Sequence, residues 1–328
     1  MTDDQTDPVK AALSGSTDLY DIAAWDARSA LDRVSVSLYG FLHASRRWLL
    51  IAVGVLLFVA QLAATVLLVF RQPSVGVLAA LSALPALAIV GYLWYDDPTI
   101  REPIEPLAIT FVLAIIFASI AALFNTLLQP LFGFVPVVGT ALFFFVVVGP
   151  VEETVKWLGV RVGAFDTIDA VVDGVVYGAV AGLGFATIEN LLYISQGYLR
   201  ASSGQSMEPV LAAVQTATSR AFVGPGHVLY SSFAGYYLGL AKFNPENKGP
   251  IVVKGILLAA LIHAVYNTAV TYLPQLGFWN LFTFVGFVVV FDAAVGYLLY
   301  RKLARYKHHY NELDGGQRTG TAETAAES

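Results

Sequence analysis

The feature that most constrains this chain is a series of apolar blocks, each about as long as a bilayer is thick. A hydrocarbon core about 30 Å thick needs about 20 residues of helix. Eight stretches meet that need, at 48–70, 74–95, 107–128, 137–162, 170–195, 210–243, 251–272 and 280–300. Of the 328 residues, 57% are hydrophobic and only 13% charged, against roughly a quarter charged in soluble domains. The fold class expected is therefore all-α: a polytopic membrane bundle of about eight transmembrane helices. A net charge of −5 offers no basic field for phosphate backbones, so the lipid bilayer is an expected partner and nucleic acid is not. With no cysteine in the chain, thiolate nucleophiles and Cys-ligated metals are excluded.

Positive charge orients the bundle. With the N-terminus inside, the inner flanks carry thirteen Arg and Lys residues and the outer flanks only Arg71 and Arg200. Both termini are then expected to be cytoplasmic, and the localisation a multi-pass protein of the cell membrane. Three regions follow. Residues 1–45 form a cytoplasmic N-terminal segment, 46–303 the bundle, with its chemistry concentrated in about 140–270, and 304–328 a largely disordered cytoplasmic tail. Within the first, 18–45 alternate polar and apolar residues at near-helical spacing, which predicts an interfacial amphipathic helix capped by Ser16 or Thr17.

Against this background the ionisable residues inside spans stand out, because each costs at least about 2.5–3.5 kcal/mol at a helix centre. They are Glu152, Glu153 and Lys156 in the fourth span, Asp173 and Glu189 in the fifth, Arg220 and His227 in the sixth, His263 in the seventh and Asp292 in the eighth, with the neutral amides Asn190 beside Glu189 and Asn267 one turn from His263. Lys156 is i+4 from Glu152 and i+3 from Glu153, so it can neutralise one carboxylate while the other faces inward. His263 and Asn267 share a helix face. Gly178, Gly182 and Gly184 permit close helix approach before Glu189, and Gly224-Pro225-Gly226 predicts a local break ahead of His227. Depths counted from charged anchors place Glu152 and His263 roughly 13 Å from the inner face, but His227 and Glu189 roughly 22–24 Å. Tilt, a break at Pro225 or misplaced span ends could close that gap.

Two carboxylates and two histidines meeting in a dry site suit hydrolysis. A carboxylate deprotonates water, and His or Asn steadies the tetrahedral oxyanion. Two His and one Glu are also the ligand set of hydrolytic zinc. The same amino acids mark transporters and proton relays, although no repeat or inverted symmetry of that kind is present, and a non-catalytic scaffold of the same fold would retain them as well.

In order, Glu152-Glu153-Thr154-Val155-Lys156, Asp173-Gly174-Val175-Val176-Tyr177-Gly178, Gly182-Leu183-Gly184-Phe185 running to Glu189-Asn190, His227, and His263-Ala264-Val265-Tyr266-Asn267 resemble the PrsW family. These are intramembrane proteases, distantly similar to the CAAX prenyl endopeptidases and CPBP membrane proteins. The resemblance covers about residues 140–270. It implies an intramembrane endopeptidase acting on membrane-anchored protein substrates, anti-sigma factors among them in bacterial members. It also implies catalytic roles for Glu152, Glu153, Glu189, His227, His263 and Asn267, with Lys156, Asn190 and Arg220 in support. The family is classed with metallopeptidases, while relatives are also argued to use a glutamate-activated water without metal. If a metal is present it is expected to be Zn²⁺, held by His227, His263 and Glu189. CAAX-type relatives carry His where this chain has Glu189, which weakens any transfer of prenyl-protein specificity. Asp292 lies outside the resemblance and is read as structural. Oligomeric state is not written in these features.

Overall fold

The computed structural model describes residue 18 and residues 27–99, 101–204 and 207–326. The chain divides into two compact units, Met1–Ala52 and Val53–Ser328. The described residues form ten α-helices and no strand. They are α1 (Ala30–Arg71), α2 (Pro73–Ser82), α3 (Leu84–Tyr95), α4 (Ile104–Leu128), α5 (Gly139–Phe143), α6 (Gly149–Gly163), α7 (Asp173–Ser202), α8 (Pro209–Lys242), α9 (Lys248–Tyr272) and α10 (Leu281–Ala326). A π-turn at Phe144–Val148 joins α5 to α6.

Several boundaries differ from the sequence expectations. Ser16, Thr17 and residues 19–26 lie outside the described residues. The described N-terminal helix starts instead at Ala30. Ser29 Oγ accepts from the Asp32 N–H at 3.0 Å, and Asp32 Oδ2 accepts from the Ser29 N–H at 2.7 Å, so each residue satisfies an orphan donor of the other. From there α1 runs unbroken into the first apolar block. At the other end the backbone stays helical to Ala326, where the sequence pointed to a disordered tail. Extending an already nucleated helix costs little, although Gly315, Gly316 and Gly320 each weaken this stretch.

Six helices among the described residues are long and apolar enough to cross a membrane, at Ala44–Ala63, Pro73–Tyr95, Ile104–Phe132, Asp173–Ser202, Pro245–Leu276 and Leu281–Glu312. The two expected spans outside this set, 137–162 and 210–243, are helical but carry the charges of the site. The first is divided into α5, the π-turn and α6. The second, α8, is continuous from Pro209 to Lys242 with Pro225 in its interior, so the expected break there does not occur.

The centre of the bundle is the antiparallel pair α7 and α8, joined through residues 203–208. Glu208 caps α8 by accepting from the Leu211 N–H at 2.8 Å, and Pro209 occupies the first helical position, where its missing donor is harmless. A Cβ on Gly174 would strike Gly235, one on Gly178 would strike Ser231, and one on Gly182 would strike the His227 backbone. Every four-residue step along α7 thus meets a four-residue step back along α8. This close approach sets their register, and two further turns place Glu189 and Asn190 opposite Arg220.

Candidate active site

The register of α7 and α8 accounts for the first half of the site. Arg220 Nη2 donates to Glu189 Oε2 at 2.6 Å, and Arg220 Nε donates to Asn190 Oδ1 at 2.7 Å. Asn190 Nδ2 in turn donates to Ser82 Oγ at 2.9 Å, tying α7 to α2. The Arg220 guanidinium also lies 4.6 Å from the Tyr193 ring centroid. His227 Nε2 is 2.9 Å from Glu189 Oε2. Glu189 therefore meets one full cation and one imidazole.

α6 and α9 supply the second half. Lys156 Nζ donates to Glu153 Oε1 at 2.7 Å and contacts His227 Nδ1 at 2.9 Å. Of the two glutamates that could pair with Lys156, the one that does is Glu153, at i,i+3. The same Glu153 oxygen lies 2.9 Å from His263 Nδ1, and its other oxygen accepts from Ser231 Oγ at 3.2 Å. Glu153 has 0% exposure. With Lys156 cationic, donation to Nδ1 leaves the His227 proton on Nε2, directed at Glu189. In the same network His263 Nδ1–H donates to Glu153, which leaves its Nε2 as an acceptor on the open side. That nitrogen is 3.8 Å from Glu152 Oε2. The two imidazoles stand edge to face with centroids 5.0 Å apart.

Glu152 differs from its neighbour. One oxygen accepts from Asn125 Nδ2 of α4 at 2.9 Å, and the other faces His263. A cavity of about 570 Å³ opens onto Glu152, Glu189, Arg220, His227, His263 and Asn267. Glu153 and Lys156 do not line it. The cavity thus meets one carboxylate with no full cation directly bonded to it, beside two imidazoles held from behind.

Glu152, His227 and His263 each offer one ligand atom, all within 4.8 Å of one another. Two imidazole nitrogens and a carboxylate oxygen are a hydrolytic zinc set, and the 3.8 Å between Glu152 Oε2 and His263 Nε2 is close to the roughly 3.3 Å edge of a tetrahedron with bonds of about 2.0–2.1 Å. The residues present fit a metal. The carboxylate that joins the two histidines in this triangle is Glu152, whereas the set expected from sequence used Glu189, which is held by Arg220.

The gap between the two sequence-derived depths is closed, since residues assigned to different levels are in contact. The helices carrying them are long: α7 has 30 residues and α8 has 34, or about 45 and 51 Å at 1.5 Å per residue. They overrun a core of about 30 Å. Lys242, taken as an anchor at the inner boundary, donates instead to the carbonyls of Phe165 and Asp166, both at 3.0 Å.

Sequence reasoning passed over Asn125 and Ser231. Asn125 carried a signal, an amide within an apolar block. Ser231 carried none, being a small residue of a kind common at helix contacts.

Comparison with known proteins bears on the same region. Residues 102–294 match the model of the PrsW family of intramembrane metalloproteases, which is more than half of the chain. The chain belongs to the PrsW family. It is 29% identical over 188 residues to Protease PrsW of Geobacillus kaustophilus, covering 56% of this chain and 75% of that one. It is 26% identical over 196 residues to Protease PrsW of Bacillus subtilis, covering 58% and 81%. Against Protease PrsW of Shouchella clausii it is 30% identical over 148 residues and spans 61% of that protein's length. No solved structure matches the chain. The matched segment contains every residue of the network described above except Ser82, and also Asp292.

Proposed function

We propose that the chain is an intramembrane endopeptidase that hydrolyses peptide bonds of membrane-anchored protein substrates, with Glu152 as the group that takes the proton from water. The observation that supports this reading best is the contrast between the two adjacent glutamates. Glu153 is consumed by Lys156, His263 and Ser231. Glu152 is steadied by a single amide and faces the cavity beside an imidazole acceptor.

Each remaining residue then has a task. Glu153 and Lys156 fix the tautomers of His263 and His227, so that both rings are oriented before substrate arrives. Glu189, itself held by Arg220, engages His227 Nε2. Asn267 lies on the cavity wall, i+4 from His263 on the same helix face, placed to donate to the oxyanion of the tetrahedral intermediate. Glu152, having gained the proton of the attacking water, can return it to the leaving amine. Glu152, His227 and His263 are the residues that would hold Zn²⁺; when bound it would supply a Lewis acid and lower the pKa of a coordinated water, with Glu152 then a ligand in place of the free base. Holding it through His227 Nε2 competes with that atom's proton and its contact to Glu189. The helices of the bundle and the family's character place the protein in a membrane, and the cell membrane is the location proposed.

The test is cleavage of a single-span membrane protein reporter by purified protein in detergent or liposomes. Glu152→Gln and His263→Ala are expected to abolish cleavage while both variants insert and remain monodisperse. Cleavage retained in both would end the proposal. Elemental analysis and chelator treatment of the same preparation decide whether a stoichiometric metal takes part.

A further inference from the structure

A second group of acidic side chains lies far from this site. Asp97 and Glu102 belong to the segment between α3 and α4, and Asp173 opens α7. Asp173 precedes Glu189 by sixteen positions on one helix, or about 24 Å. One carboxylate oxygen from each of Asp97, Glu102 and Asp173 lies within 4.8 Å of the other two.

Two of the three are held in place. Asp97 Oδ1 accepts from the Thr99 N–H at 2.8 Å and from Thr99 Oγ1 at 2.6 Å. Asp173 Oδ2 accepts from the N–H groups of Asp169 and Ala170 at 2.7 and 2.8 Å, and its Oδ1 lies 3.2 Å from Thr99 Oγ1. The third is different. Glu102 is only 4% exposed, and neither of its carboxylate oxygens has a hydrogen-bond partner. Its backbone is pinned, since the Trp94 indole N–H donates to the Glu102 carbonyl at 3.1 Å. A buried carboxylate with no donor, aimed at two fixed carboxylates, is costly by itself.

Nothing basic among the described residues relieves it. Among the described residues none of the three carboxylates forms an ion pair. Nearby, Lys307 is committed to Asp96 at 2.7 Å, and the Arg101 guanidinium stacks on Tyr95 at 4.8 Å and Trp94 at 5.7 Å from their ring centroids. Burial, with Asp97 and Asp173 alongside, pushes the Glu102 carboxyl up to about 8.

We propose that Asp97, Glu102 and Asp173 form a cation site, separate from the Glu152–His227–His263 triangle, for a hard divalent ion of the size of calcium. The donors are all oxygen, which selects hard cations over zinc or copper. Oxygens bound to Ca²⁺ at about 2.3–2.6 Å can lie up to about 5 Å apart across the ion, whereas Mg²⁺ at about 2.0–2.1 Å demands a tighter shell. The ion bridges the α3–α4 segment to the start of α7, the helix that carries Glu189, and takes the place of the proton that burial otherwise keeps on Glu102.

Calcium titration of the full-length protein in detergent, followed by calorimetry, tests this, with magnesium titrated in parallel. One saturable Ca²⁺ per chain is expected, retained in His263→Ala and weakened at least tenfold in Asp97→Asn and Glu102→Gln. Asp97 is only half-buried, so Asp97→Asn carries the test if Glu102→Gln does not accumulate. Without added cation, Glu102→Gln is expected to melt at a higher temperature than the wild type, and to show no further rise with calcium. Absence of saturable Ca²⁺ binding in the wild type overturns the proposal. So does calcium binding that is lost in His263→Ala but intact in Asp97→Asn and Glu102→Gln. Magnesium binding as tight as calcium overturns the size assignment.

Discussion

Two places along α7 gather carboxylates, and they solve the same electrostatic problem in opposite ways. Near Glu189 the acids are interleaved with Lys156, Arg220 and two imidazoles. Near Asp173 the acids face one another with no basic partner among the described residues. A buried carboxylate must gain a counter-charge, share a proton or hold a metal. Where bases are built into the helices, the acids can be sorted into one that is fully bonded, Glu153, and one left open to the cavity, Glu152. Where none is built in, the carboxyl either keeps its proton or takes a counter-charge from solution. The difference shows that acidic residues alone do not identify the chemistry; their neighbours do.

That contrast can be broken most forcefully at Glu152. Glu152→Gln should lower cleavage of a membrane-anchored reporter by about 10²–10⁴-fold, the range of general-base catalysis, with the melting temperature barely changed. If Glu152→Gln instead unfolds the protein, the two glutamates have the same structural role and the sorting fails. Next comes Lys156→Met, which strands Glu153 without its cation. Removing one partner of a buried pair costs about 3–5 kcal/mol, to be read as a loss of thermal stability in detergent. The double variant with Glu153→Gln should recover most of it, since an uncharged pair no longer needs a counter-ion. No recovery would mean that the pair is not the source of the loss.

Smaller effects sharpen the picture. Asn125→Ala removes the one hydrogen bond that steadies Glu152. A bond to a charged group contributes about 1.5–3 kcal/mol, so cleavage should fall by about 10–100-fold with the fold intact. An unchanged rate would show that Asn125 does not position the base. The smallest change is expected at the other cluster. Asp97→Asn should leave cleavage within about twofold of wild type at saturating substrate and alter only the response to calcium.

The class of fold, the placement of the ionisable residues within helices and the identity of the family were all legible in the chain. Apolar length announces a membrane helix because the bilayer sets that length, and a charge within such a helix announces a task because lipid penalises it. The chain also showed that Lys156 could reach either glutamate, since helical spacing permits both. It could not choose between them. That choice depends on where Ser231, His227 and His263 arrive from α8 and α9. The four site residues likewise fell at mismatched depths when counted from charged anchors, because counting assumes that each helix begins and ends at the membrane surface. α7 and α8 are longer than the bilayer, so only their packing decides which residues lie level. Their glycine contact determines the register that sets Arg220 against Glu189. Local spacing therefore names the groups that a helix can present, while the relative shift of neighbouring helices, invisible to any one segment, decides which of those groups meet.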